Sequence, residues 1–70
     1  MGETKTLGDA LPDEIQRVTD LIPLYVEIGP VGTFALSMMR ASLDRAIRAL
    51  ASGDLAEMME CYMDLKGYSA

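Results

Sequence analysis

Two glycine-centred breaks, Gly29-Pro30 and Ser52-Gly53-Asp54, cut this chain into three stretches of helical length. Each stretch carries an apolar stripe at three- and four-residue steps. That punctuation points to an all-α fold, a small three-helix bundle with a kinked first helix, a long central helix and a short third one.

The first helix is expected to open near Leu11-Pro12-Asp13-Glu14. Proline suits a first turn, and two carboxylates suit the positive end of the helix dipole. Residues 1–10 then read as a disordered tail and 11–70 as one helical domain. Ile15, Val18, Ile22 and Tyr25 form the stripe, widened by Leu21, Leu24 and Ile28. Pro23 interrupts it, because proline offers no N–H to the Thr19 carbonyl and crowds it. Gly29 ends the segment.

The second stretch is the most clearly amphipathic. Leu36, Met39, Leu43, Ile47 and Leu50 share one face, with Ala46 beside them. Phe34, Met38, Ala41 and Ala49 form a second apolar patch. A helix with two apolar faces packs against two neighbours. Gly53 suits the left-handed stop of this helix, and Asp54 with Glu57 forms a variant capping box for the next. Leu55, Met58, Tyr62 and Leu65 make the third stripe, flanked by Met59 and Met63, and Gly67 closes it.

Composition narrows the function. Seventy residues make one domain, and a chain of this size buries only about 60% of its unfolded surface. Small domains compensate with disulfides, metals or partner subunits. Cys61 is the only cysteine and histidine is absent, so an internal disulfide is impossible and most zinc sites and general-base mechanisms are excluded. No cofactor is expected, and no enzyme. Half the residues are hydrophobic, which points to a homo-oligomer, a dimer first, with Phe34, Met38 and Met59 as interface candidates. No run approaches the roughly 20 apolar residues of a membrane span, and residues 1–8 lack the order of a signal peptide. The single cysteine fits a reducing compartment, the cytoplasm of a host cell.

Glu57, Glu60 and Asp64 align on the outer face of the third helix and are the candidate contacts to a basic partner. The plainer reading is a solvated face. Arg40, Arg45 and Arg48 hold half of the six cations and are candidates for an anion or nucleotide phosphate. The plainer reading there is pairing with Asp44 and neighbouring helices. Met38, Met59 and Met63 sit at stripe edges, where methionine suits an adaptable surface as well as a core. Cys61 reads as a buried thiol, and Tyr25, Tyr62 and Tyr68 as core and rim aromatics. A helix-turn-helix reading of residues 49–55 fails on charge. Its reader helix would present Glu57, Glu60 and Asp64 to phosphates, and the net charge is −5.

Residues 21–67 resemble a group of short phage and prophage proteins. The shared features are Ile28-Gly29-Pro30-Val31-Gly32, Met38-Met39, Ala51-Ser52-Gly53-Asp54, Met58, Tyr62 and Leu65-Lys66-Gly67. These are turn and core residues, so the resemblance implies fold and phage origin and brings no activity with it. A second resemblance is to the helical hairpin of phage anti-CBASS and anti-Thoeris sponge proteins, through Pro30, Leu43, Asp44 and Ala46. Gly29 stands where those proteins commonly carry cysteine. That likeness implies an oligomer sequestering a cyclic nucleotide. The leading expectation is a phage-encoded, non-enzymatic binder of a host protein, a counter-defence inhibitor. The alternatives are the nucleotide sponge and a virion assembly adaptor.

Overall fold

A computed structural model describes residues 6–69. Its elements are α1 (Leu7–Thr19), α2 (Ile22–Ile28), a 3-10 turn (Gly29–Gly32), α3 (Thr33–Ser52) and α4 (Leu55–Lys66). The all-α expectation holds, with no strand among the described residues. The bundle of three separate helices does not. Helical backbone runs from Leu7 to Ser52 as one long bent element, and α4 returns along it.

Neither break opens the chain into a loop. At Pro23, Asp20 and Leu21 stay in the right-handed helical region, so the missing N–H produces a bend. At Gly29-Pro30 the chain tightens into the 3-10 turn, and only Gly29 takes a positive φ, 86°. Gly32 is required there for a different reason. A Cβ on it would sit 2.5 Å from the Tyr25 carbonyl oxygen.

The start of α1 also differs. Helix begins at Leu7, so residues 7–10 are not the disordered tail that was expected, and residues 1–5 lie outside the described residues. The Thr6 carbonyl accepts the Asp9 and Ala10 N–H groups at 3.0 and 2.8 Å. Leu7 packs against the core, and that contact outweighs the poor local propensity of Gly8 and Pro12. Pro12 therefore sits inside the helix.

The second break behaves as its residues dictate. Gly53 stops α3 in the left-handed region at φ 74°. The Asp54 carboxylate accepts the N–H groups of Ala56 and Glu57 at 3.1 and 3.2 Å, which starts α4. The other half of the capping box is missing, because Ser52 Oγ takes the Asp54 N–H and Glu57 turns elsewhere.

The core lies where α1, α3 and α4 meet. Leu11 and Val18 come from α1; Met39, Leu43, Ala46 and Ala49 from α3; Met58, Cys61 and Leu65 from α4. Ile47 and Leu55, expected in the stripes, are exposed. On α3 the buried face is turned toward Ala46 and Ala49, whose small side chains let α4 approach closely. Of the second apolar patch on α3 only Ala49 is buried. The molecule measures 40 × 29 × 15 Å. The thin dimension corresponds to about two packed helix layers, and no third layer covers α2.

Candidate functional site

The two charged sites expected from sequence face each other within one chain. The antiparallel turn at Gly53 brings the C-terminal half of α3 beside the first turns of α4. Arg45 Nε donates to Glu57 at 2.5 Å, and its terminal nitrogen donates to Glu60 at 2.8 Å. Both carboxylates hold the Arg45 guanidinium above its ordinary value, Glu57 most strongly. On α3 itself Arg48 pairs with Asp44 at 2.5 Å, one turn away. These pairs are exposed, and solvent-exposed pairs contribute little to stability. Their consequence is chemical. Arg45 and Arg48 already hold carboxylates, and so do Glu57 and Glu60 hold a cation. Arg40 and Asp64 are exposed and make no ion pair among the described residues.

Cys61 lies buried on the α4 face beneath this ridge. Burial is the largest cause pushing its thiol up, and Arg45 opposes it only partly. A thiol held protonated and shielded is a poor nucleophile.

Arg17 is the functional-looking residue that sequence reasoning passed over. Its guanidinium grips Glu14 on α1 at 2.9 Å and donates to the carbonyls of Leu65 and Tyr68, each also at 2.9 Å. It thereby caps the end of α4 with a cation, where the helix dipole favours one. Tyr25 donates its hydroxyl to the Ser69 carbonyl, and the Tyr68 hydroxyl pairs with Ser42 Oγ at 3.0 Å. Residues 65–69 are thus tied to α1, α2 and α3 by four side chains. Tyr62 lies under the Lys66 ammonium, 5.3 Å from its ring centre. The tyrosines are rim residues, all half-buried.

The apolar surface is larger than the sequence suggested. The interface candidates Phe34, Met38 and Met59 are all exposed, and so are Val31, Leu55 and Met63, which were not among them. Leu55, Met59 and Met63 recur every fourth residue on α4, so they line one face. That face points away from the buried Met58, Cys61 and Leu65.

A second apolar area spans residues 21–38, where Glu27 is the only charged side chain. This stretch has a mean hydropathy of 1.4 over 18 residues and is 6% buried. By length and composition it qualifies as long and apolar enough to cross a membrane, which revises the expectation that no such run exists. Its backbone is interrupted by the turn at Gly29–Gly32 and is not one straight helix.

No set of three or more acidic, histidine or cysteine side chains is grouped for a metal ion, and no pocket opens, among the described residues. Phosphate binding by Arg40, Arg45 and Arg48 would have to take place on an open ridge. Comparison of the chain with protein-family models, curated proteins and solved structures gives no match.

Proposed function

We propose that the chain is a phage-encoded, non-enzymatic binding protein that acts on a host protein in the cytoplasm, as a counter-defence inhibitor. The observation that carries this reading is the outward stripe of α4. Leu55, Met59 and Met63 stand 68%, 51% and 63% exposed on a helix whose opposite face is fully used by the core. Three apolar anchors at helical spacing suit insertion into a groove on another protein. Methionine at two of the three positions suits a surface that adapts to its partner. Asp64 offers the free carboxylate of the acidic face, farther round the helix than Glu60, while Glu57 and Glu60 must first release Arg45 to serve a basic partner. The chain acts as a homo-oligomer in this reading, with Phe34 and Met38 among its self-contacts.

Affinity purification of the tagged chain from infected cells tests the proposal. A host immune protein recovered in stoichiometric amount, and lost on Met59→Lys, is the expected result. Recovery of virion proteins alone would overturn it in favour of an assembly adaptor. A tightly held cyclic nucleotide would overturn it in favour of a sponge.

A further inference from the structure

α2 is apolar on nearly every side, yet only Ile22 and Tyr25 lean on the core, and those are half-buried. Its sequence, Ile-Pro-Leu-Tyr-Val-Glu-Ile, contains one charge, and none of its residues is buried. A helix that is hydrophobic all round belongs in a core or a membrane. Here α2 packs chiefly on the turn that follows it and on α3. The exposed apolar surface continues through Leu24, Val26, Ile28, Val31, Phe34 and Met38, which stand 47% to 85% exposed. This chain has no remaining described element to cover them.

We propose that a second copy of the chain covers this elbow, made of α2, the 3-10 turn and the first turns of α3, in a two-fold dimer. The proposal rests on the homo-oligomer reading above and extends its contact from Phe34 and Met38 to Val31 and α2.

The area fits. Without Val26, which lies on the far side of α2 from Leu24 and Ile28, the other five side chains offer on the order of 600 Å² per copy, toward the roughly 800 Å² per partner of a standard interface. The charge fits as well. Each copy carries a net −5, so two copies repel wherever their carboxylates meet. Between Asp20 and Arg40 the only charge is Glu27, which makes the elbow the face of least repulsion.

A lipid surface fits less well. Between Arg17 and Arg40 the chain has no lysine or arginine, so the basic fringe of interfacial helices is missing. Pro30, which has no N–H, and the positive φ of Gly29 also break the helical ladder in the middle of the stretch.

Sedimentation velocity of the full chain from nanomolar to high micromolar concentration tests the dimer. Three variants accompany it, with circular dichroism to show that each folds. Val31→Lys places a charge on a residue that is 85% exposed in the single chain. Phe34→Glu places a carboxylate in the first turn of α3, where the helix dipole favours it. Met63→Lys alters the α4 stripe instead.

The parent is expected to sediment as a dimer of the 7.6 kDa chain at micromolar concentration. Val31→Lys and Phe34→Glu are expected to weaken the dimer about 100-fold or more, since a two-fold contact meets each change twice. Met63→Lys is expected to match the parent. A dimer that survives the first two variants and is lost in the third overturns the elbow and leaves the homo-oligomer reading standing. A parent that stays monomeric throughout overturns both. If that monomer then co-sediments with phosphatidylcholine vesicles, the elbow's occupant is a membrane.

Discussion

Residues 21–38 and residues 39–65 are similarly rich in apolar side chains, yet they use them in opposite ways. The second region supplies seven of the nine buried core residues. In the first, Gly32 alone is buried. The difference arises from what lies opposite. The C-terminal part of α3 faces both α1 and α4 across small residues such as Ala46 and Ala49. The elbow touches the core only through the half-buried Leu21, Ile22 and Tyr25 and packs chiefly on its own turn and on α3. Apolar content alone therefore does not place a residue in the core. In this molecule the buried core is concentrated in one region, and the other leaves most of its large apolar side chains exposed.

Substitutions at the two ends should separate the regions. A large effect is expected at Leu43, which belongs to the buried core at 8% exposure. Leu43→Ala should cost about 2–5 kcal/mol, through lost burial and the cavity left behind, read by chemical denaturation. Phe34→Ala, measured at a dilution where the chain is monomeric, should stay within about 0.5 kcal/mol of the parent. Equal losses at both sites would erase the contrast.

Gly32→Ala comes next. The added methyl would collide with backbone at Tyr25, and overpacking of this kind costs about 1–3 kcal/mol. A melting temperature equal to the parent's would mean that the elbow is not held in this bend. Arg17→Met should cost about 1 kcal/mol, an estimate lowered for partial exposure, as two carbonyls at the end of α4 lose their charged donor. Its signature would be faster amide exchange at residues 66–69 ahead of the rest of α4.

Glu60→Lys should leave the melting temperature nearly unchanged, because the pair it breaks with Arg45 is exposed. It should still slow association with a basic target if the acidic face contributes to binding. Reversing a rim charge without changing either quantity would leave that face as ordinary solvated surface.

How far the chain could be read in advance follows the same division. Gly53 and Asp54 were legible because turn and cap chemistry is local. Met39, Leu43 and Met58 were legible because periodicity marks a core face. That Pro23 gives only a bend and Gly29 only a tight 3-10 turn was not, since each residue signals a break and only backbone geometry separates a bend from a loop. The start at Leu7 depends on tertiary packing that local propensity argues against. Arg17 was hidden because the carbonyls it reaches lie 48 and 51 residues away, and carbonyls are common to every residue. Arg45 was flagged as an anion site, but its carboxylates come from α4 of the same chain. The exposure of the elbow was legible only at Phe34 and Met38, the interface candidates on α3. A stripe identifies apolar residues without saying whether the chain supplies their cover.

Hydrogen exchange followed by mass spectrometry at two protein concentrations tests the contrast most directly. In dilute solution the account predicts slow exchange in the core-facing parts of α3 and α4 and fast exchange across residues 22–34. At high concentration the amides of 22–34 should become protected while those of the core stay as they were. Protection of 22–34 equal to that of α3 and α4 at both concentrations would contradict the account, because the elbow would then be part of the core.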